Sequence, residues 1–218
     1  MNIALFTQDE IQLPLSKNDP RAKHILQILH KKVGECFDCG IIGGMAGKST
    51  ITKMDDNFIY FDFEAQSDGK PLYPLRMIIG FPRPIQLKRL FRDMAGLGVS
   101  EIHLTSTDLG EKSYLESNIV QNGTAQNLLT EGSVQAKSTH VPQLFIHKTL
   151  EKCLEYLQQN FDYQNAIKAN LDNVKSTTSL GSFIDNQLLK KSKNCIVFAA
   201  IGSERGWTDR ERNLLVKN

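Results

Sequence analysis

The chain has 218 residues, 26 of them Lys or Arg and 24 Asp or Glu, so its formal net charge is only +2. That length suits one large domain or two small ones with a buried core, and the small net charge means that any affinity for nucleic acid must come from local basic patches. We expect no membrane span of about 18 apolar residues, no secretory signal and, with only four cysteines, no disulfide framework. The sequence therefore predicts a cytoplasmic protein.

The first part of the chain, residues 1–70, is predicted to be a small β-barrel with one early helix. Asp19 and Pro20 are typical of a helix cap and of the first helical position. The buried stripe of this helix is predicted to be Ile25, Leu26, Ile28 and Leu29. Strands are predicted over 35–42, 49–54 and 57–64. The polar, turn-rich stretch 65–71 is predicted to be a linker.

From residue 71 onward, strand-like and helix-like segments alternate. Strands are predicted over 76–81, 101–105, 143–146, 164–168 and 195–201. Helices are predicted over 85–97, 118–136, 150–160 and 182–190. Such alternation favours a parallel sheet that is covered by helices.

The last strand leads into the most informative segment of the chain. A loop bounded by Gly202 and Gly206 follows it, and Thr208 with Glu211 three residues later is a capping box that predicts a helix start. A strand, a glycine loop and a helix form ligand crevices at the carboxyl edge of α/β sheets, because glycine lets the backbone approach a ligand closely. A plain connection between a strand and a helix has the same pattern, so both interpretations stay open here.

Two motifs that suggest other chemistry are interpreted as structural. The stretch 43–50 looks like a phosphate-binding loop, but only three residues separate its glycines and no helix follows, so we predict a hairpin turn. Cys36 and Cys39 have a metal-ligand spacing, but in a strand their side chains point to opposite faces. His103 is predicted to be a core or sheet-edge residue. We therefore expect no metal and no redox site.

Basic residues form two clusters in the sequence. The first cluster comprises Arg21, Lys23, His24, His30, Lys31 and Lys32. The second cluster comprises Arg83, Lys88, Arg89 and Arg92. Either cluster alone fits a solvated face, whereas two clusters beside a barrel and a ligand crevice favour a track for RNA phosphates.

Four segments, in order from about residue 20 to the end, carry a family resemblance. They are His24-Ile25-Leu26-Gln27-Ile28-Leu29-His30 followed by Gly34, Leu97-Gly98-Val99, Gln135 with Val141-Pro142, and Ile201-Gly202-Ser203-Glu204-Arg205-Gly206 with Glu211. Together they resemble the bacterial small-subunit ribosomal RNA methyltransferases (RsmE type) that methylate N3 of a uridine in 16S rRNA. These enzymes belong to the SPOUT class and use S-adenosylmethionine.

The resemblance implies an α/β protein in which a PUA-like RNA-binding β-barrel, residues 1–70, precedes a SPOUT-type trefoil-knot parallel α/β domain, residues 71–218. It implies a homodimer that acts on 16S rRNA of the small ribosomal subunit, with no membrane partner. The cofactor-binding residues would be Asn170, Leu171, Ile201, Gly202, Ser203, Glu204, Arg205 and Gly206. The RNA-binding residues would be Arg21, Lys23, His24, His30, Lys31, Lys32, Arg83, Lys88 and Arg89.

The chain departs from the family pattern at several positions. Ser203 and Arg205 stand where the family's cofactor loop has Pro and Gly, and no segment matches the family's C-terminal Leu-Gly-x-Arg-Ile-Leu-Arg run, which completes the knot. We therefore expect the second domain to be incomplete at its C-terminus. The alternative interpretation is a degenerate, non-catalytic relative that retains only RNA binding.

Overall fold

The computed structural model describes residues 2–188 and 195–217. They form two compact units. The first unit contains Met1–Pro71, Arg92–Gly98 and Leu129–Val141, and the second contains Leu72–Phe91, Val99–Leu128 and Pro142–Asn218. Two later segments, Arg92–Gly98 and Leu129–Val141, also belong to the first unit. The division of the chain into two domains at residue 70 therefore stays a prediction. No helix within the described residues has the length and apolar character to cross a bilayer.

The first unit is built on a five-stranded mixed sheet. Its strands are β1 Ala4–Phe6, β2 Leu15–Ser16, β3 Cys36–Ile41, β4 Ala46–Met54 and β5 Phe58–Ser67. Their order is β1-β3-β4-β5-β2, with β1 and β3 parallel and the other neighbours antiparallel. The three predicted strands are confirmed. β1 and β2 were missed because two or three residues are too few to show a period.

The early helix is shorter than predicted. Asp19 caps α1, Pro20–Lys23, by accepting a hydrogen bond from the Arg21 backbone N–H at 2.7 Å. The chain then continues as a π-helix over His24–Ile28. Its i→i+5 bonding breaks the 3.6-residue period, so Ile28 and Leu29 are exposed and their predicted burial is wrong.

Two further expectations concern turns in this unit. The predicted hairpin turn is confirmed between β3 and β4, where Gly43 has a φ of +75° that favours glycine. The predicted linker is wrong at its start, because residues 65–67 pair with β4 as the end of β5. Cys36 is exposed and Cys39 is buried, which confirms that they point to opposite faces.

From residue 72 the chain alternates between strands and helices. The strands are β6 Tyr73–Gly80, β7 Val99–Thr105, β8 Gln143–His147, β9 Ile167–Leu171 and β10 Val197–Ile201. The helices are α2 Pro84–Leu97, α3 Asn118–Gln121, α4 Thr124–Gln135, α5 Leu150–Asn160, α6 Leu180–Leu188 and α7 Asp209–Lys217. All neighbouring strands are parallel, in the order β8-β7-β6-β10-β9, which confirms the predicted sheet.

Two elements differ from the predictions, and a third lies partly outside the described residues. The helix predicted over 118–136 is two helices, because the chain turns at Asn122 and Gly123, where φ is +70°. The strand predicted over 164–168 starts only at Ile167, since turn residues precede it. The predicted helix 182–190 is confirmed as far as Leu188, and its last two residues lie outside the described residues.

Candidate functional site

Three parallel strands of the second unit end at one edge of the sheet. Ile201 at the end of β10 lies opposite Leu171 on β9 and Ile79 on β6. The segments that leave β9 and β10 line a cavity of about 970 Å³, which we call the carboxyl-edge cavity. This is the position at which open α/β sheets bind ligands.

The loop after β10 turns sharply at the mouth of this cavity. The Gly206 N–H donates to the Ser203 carbonyl at 2.8 Å, and Gly206 has a φ of +71°. Close packing also requires two other glycines. A Cβ on Gly202 would lie 2.8 Å from the carbonyl carbon of Gly206, and a Cβ on Gly80 would lie 2.5 Å from the Ser203 nitrogen. The loop can hold this shape only if both positions lack a side chain.

The start of α7 fixes the far end of the loop. The predicted capping box is confirmed: Glu211 accepts from the Thr208 backbone N–H at 2.8 Å, and Thr208 Oγ1 accepts from the Glu211 N–H at 3.3 Å. Glu211 is only 1% exposed, and its other carboxylate oxygen accepts from the Asp108 N–H. One buried carboxylate thus joins the loops that follow β7 and β10.

Most of the predicted cofactor-binding residues line the carboxyl-edge cavity. Those that line it are Asn170, Leu171, Ile201, Gly202, Ser203, Glu204 and Gly206. Glu204 also accepts from the backbone N–H of Arg83 at 2.9 Å, which ties the loop to the segment after β6. Arg205 does not line the cavity, because its guanidinium donates to the Leu109 carbonyl at 3.3 Å.

The sequence interpretation missed several other lining residues. A hydroxyl-rich run between β9 and α6 lines the cavity with Ser176, Thr177, Thr178 and Ser179. Asp172 and Arg212 form an ion pair in the lining, and the hydrogen bond from Arg212 holds the pKa of Asp172 below its usual range. Lys175 Nζ lies 2.6 Å from an Asp209 carboxylate oxygen. The run of four hydroxyl residues after a strand is the signal that could have identified this wall.

The predicted RNA-binding residues of the first cluster lie in different surroundings. Arg21 is engaged internally: its guanidinium lies 2.8 Å from Asp19, 3.1 Å from Glu10 and over the ring of Phe6. Those contacts neutralise its charge, so we leave Arg21 out of the proposed RNA surface. The exposed members are Lys23, His30 and Lys32. His24 and Lys31 line a second cavity, of about 380 Å³, in the first unit.

The second cluster lies on and just before α2. The exposed members Arg83, Lys88 and Arg89 belong to the second unit. Arg92 belongs to the first unit and lies 3.5 Å from Glu131. Three exposed cations thus lie close together in sequence, and the first of them, Arg83, is the residue whose backbone N–H donates to Glu204.

His103 is a core residue, one of the two positions predicted for it. Its neighbours come from distant parts of the sequence, so local spacing does not show them. Its Nδ1 lies 3.1 Å from His147 Nε2, its Nε2 lies 3.1 Å from Glu101, and the ligand atoms of both histidines and Cys153 lie within 4.8 Å of one another. Burial raises the pKa of Cys153 to about 12 and lowers the pKa of His147 to about 4. The Cys153 thiol is therefore protonated and the His147 imidazole neutral at pH 7, and His103 is hydrogen-bonded to His147 and Glu101.

Comparison with known proteins identifies the chain. Residues 69–218 match the model of a family described as an RNA methyltransferase domain. The chain belongs to this RNA methyltransferase family. It is 37% identical to the ribosomal RNA small subunit methyltransferase E of Treponema pallidum over 98% of the chain and 79% of that protein. It is 32% identical to ribosomal RNA small subunit methyltransferase E 1 of Borreliella burgdorferi, over 100% of the chain and 86% of that protein.

Solved structures of RNA methyltransferases share the fold. A ribosomal RNA small subunit methyltransferase E from Neisseria gonorrhoeae, bound to S-adenosylmethionine, has a TM-score of 0.71 at 15% identity and covers 100% of this chain and 85% of its own. A probable rRNA-methyltransferase from Porphyromonas gingivalis has the same score and identity, with 98% and 85% covered. The family and the fold class expected from the sequence are confirmed.

Proposed function

We propose that this methyltransferase transfers a methyl group from S-adenosylmethionine to N3 of a uridine in 16S rRNA of the small ribosomal subunit. The observation that carries the proposal is the carboxyl-edge cavity, in which seven of the eight residues expected to hold the cofactor lie together. Its volume is in the range of about 300–1,000 Å³ that ligand sites have. The names of the relatives that share 32–37% of its sequence support rRNA of the small subunit as the substrate.

The residues of the cavity fit a nucleoside-like methyl donor. Gly202 and Gly206 line the cavity without a side chain, so the backbone amides and carbonyls of the loop are available to the edge of an adenine. The hydroxyls of residues 176–179 and the Asn170 and Asn213 side chains offer donors and acceptors for ribose and for an amino-acid end. The carboxylates of Asp172 and Asp209 lie in the same wall and are paired with Arg212 and Lys175.

When it is bound, S-adenosylmethionine supplies an electrophilic methyl group that needs no metal. The chain must then present the acceptor. N3 of uridine is occupied in base pairs, so the base must be unpaired or turned out of a helix to react. We propose that Arg83, Lys88 and Arg89 hold phosphates near that base, and that catalysis consists mainly of aligning N3 with the methyl carbon.

The cavity also has exposed apolar side chains in its wall. Leu180 is 51% exposed and Val216 is 79% exposed. Exposed apolar side chains that lie together mark interaction surfaces. They support the proposal that the enzyme works as a homodimer, in which a second copy covers this side of the cavity.

The test is methylation of small ribosomal subunits that lack the modification. The purified protein, S-adenosylmethionine with a labelled methyl group and such subunits are incubated together, and the rRNA is digested and analysed by mass spectrometry. We expect label in 3-methyluridine at a single position. Label at another atom of uridine would overturn the N3 assignment alone. Binding of RNA with no transfer and no affinity for S-adenosylmethionine would instead favour the non-catalytic relative.

A further inference from the structure

The cluster of His103, His147 and Cys153 has no role in the function proposed above. The residues that line the carboxyl-edge cavity include none of the three. Within the part of the chain that the structure describes, these are the side chains grouped closely enough to share one metal ion, since their ligand atoms all lie within 4.8 Å of one another. The expectation of no metal site rested on local spacing, which cannot show ligands that come from β7, β8 and α5.

The fold brings these side chains to one face of the parallel sheet. Glu101 and His103 are two residues apart on β7 and point to the same side. On β8, Phe145 lies opposite His103 in the parallel register, and His147 follows it by two residues. Helix α5 packs against both strands and brings Cys153 to this face. Neither His103 nor Cys153 has any exposed surface.

Hydrogen bonds determine which ring nitrogens face the cluster. Burial opposes ionisation of Glu101, but the hydrogen bond from His103 and the charge of Arg76 outweigh it and hold the pKa of Glu101 below its usual range. Glu101 lies 3.1 Å from His103 Nε2. Because a carboxylate only accepts, the proton of a neutral His103 ring is on Nε2, and Nδ1 carries a lone pair. His147 Nε2 lies 3.1 Å from that Nδ1 and donates to it.

The two imidazole rings meet corner to corner. Their centroids are 5.3 Å apart, with planes inclined by only 22°, while the facing nitrogens are 3.1 Å apart. The two nitrogens therefore lie close to the line that joins the ring centres. A metal ion that binds both at tetrahedral angles and ordinary bond lengths needs a nitrogen separation of roughly 3.3 Å. A shift of a few tenths of an ångström, within the range of roughly half an ångström that atoms of an ordered core move, admits the ion.

Charge decides which metal suits the cluster. Burial raises the pKa of the Cys153 thiol to about 12, so the thiol gives up its proton only to a bound cation. One thiolate balances one positive charge, and Arg76, 3.0 Å from Glu101, already balances that carboxylate. A divalent ion would leave an unbalanced charge in a buried site, which is costly. Thiolate and imidazole ligands together suit copper, and its monovalent form leaves the site neutral.

We propose that His103 Nδ1, His147 Nε2 and Cys153 Sγ bind one copper(I) ion, which joins β7, β8 and α5. On binding, the S–H bond of Cys153 breaks, a copper–sulfur bond forms and the proton leaves to solvent. The proton on His147 Nε2 leaves that nitrogen, and Nδ1 takes one up. No electron is transferred. Glu101 is a positioning residue, because it holds the His103 ring with Nδ1 towards the metal.

The site has a path of entry and is independent of methyl transfer. His147 is only partly buried, so an ion can reach its ring from solvent. The inference goes beyond the proposed function and does not rest on it. Titration with S-adenosylmethionine reports on the other site, and we expect the unchanged protein to bind it equally with and without copper(I).

The first test is titration of the intact protein with copper(I), under nitrogen and with a reductant, in competition with a coloured copper(I) chelator. We expect one copper(I) per chain and a rise in Tm, because an ion that binds only the folded chain stabilises it. Cys153→Ala and His147→Gln should each lose both effects, with circular dichroism confirming that they fold. Cys36→Ala, which removes an exposed cysteine of the first unit, is the control and should keep both.

Two outcomes of this titration would overturn the proposal. The first is copper(I) binding that survives in both Cys153→Ala and His147→Gln but is lost in Cys36→Ala. The second is uptake of one zinc(II) per chain with no uptake of copper(I), which would contradict the charge argument.

The second test identifies the ligands. X-ray absorption of the copper(I)-loaded protein should show one sulfur and two nitrogens around the ion. Glu101→Gln should keep this set but weaken copper(I) binding by about 10–100-fold, since it loosens the hold on the His103 ring. Two sulfurs around the ion would overturn the proposal, and equal affinity in Glu101→Gln would overturn the positioning role of Glu101.

Discussion

The two cavities differ in the backbone features that shape them. The carboxyl-edge cavity consists of loops on a parallel sheet, where Gly80, Gly202 and Gly206 provide the close approach. The second cavity, in the first unit, lies beside a π-helix and two left-handed residues that are not glycine, His30 and Lys137. A glycine pattern can be read from a sequence, whereas a strained non-glycine residue leaves no pattern to read. The comparison shows why one cavity could be predicted and the other could not.

The largest expected effect concerns a glycine in the sheet. In Gly80→Ala the new Cβ would lie 2.5 Å from the Ser203 nitrogen and 2.6 Å from Thr107 Cγ2. Overpacking of about 1–3 kcal/mol displaces the loop, so we expect the rate of methyl transfer to fall by about tenfold or more. Gly181→Ala is the control, because its Cβ would have no neighbour within 4 Å. Equal rates of methyl transfer in the two variants would contradict the claim that close packing at Gly80 shapes the cavity.

The next effect concerns the buried carboxylate that joins two loops. Glu211→Ala removes the acceptor for the backbone N–H groups of Thr208 and Asp108. Unsatisfied buried groups cost about 1–3 kcal/mol, so we expect a lower midpoint of urea unfolding. Glu211→Gln keeps an acceptor oxygen and should recover part of the loss. A full loss in both variants would show that the charge, rather than the hydrogen bonds, is required.

A smaller effect separates the two basic clusters. Changing Arg83, Lys88 and Arg89 to Ala removes up to three phosphate contacts, and we expect the salt slope of RNA binding to fall by about 2. Arg21→Ala should leave the slope unchanged, because Arg21 is paired with Asp19 and Glu10. Fluorescence anisotropy of a labelled RNA at several salt concentrations measures both. A fall in slope for Arg21→Ala alone would reverse our assignment.

The smallest expected effect is a difference between the two units in how their stability falls with pH. The folded-state pKa of His147 is about 4, below its usual value of 6.5, because of burial and the nearby His103. The unfolded chain therefore takes up this proton first, and His147 makes the second unit lose stability as pH falls from 6.5 towards 4. We expect His147→Gln to reduce this loss, measured by urea unfolding at a series of pH values.

The first unit should respond over a more acidic range. Hydrogen bonds from Arg21 hold the pKa of Glu10 below its usual value, and the pKa of Asp19 is also lowered, although burial opposes the shift. Their contribution is present above the ordinary carboxyl range and is lost as pH falls through the lowered values. Hydrogen exchange followed by residue distinguishes the units. Simultaneous loss of protection in both units at pH 6 would contradict the difference.

Features with a local sequence signal were predicted correctly, and features that depend on tertiary contacts were not. The parallel sheet, the loop after β10 and the capping box were predictable, because apolar periods, glycines and the pair Thr208–Glu211 are local signals. The start of β9 was misplaced, since the apolar period does not separate a strand from the turn before it. The cluster of His103, His147 and Cys153 depends on tertiary contacts, and no local spacing shows it.

The central claim is that the carboxyl-edge cavity holds the methyl donor. Calorimetric titration of the intact protein with S-adenosylmethionine tests it most directly. We predict saturable binding of one S-adenosylmethionine per chain, preserved in Gly181→Ala and weakened about tenfold or more in Gly80→Ala. Absence of binding by the unchanged protein, or equal affinity in Gly80→Ala, would contradict the account.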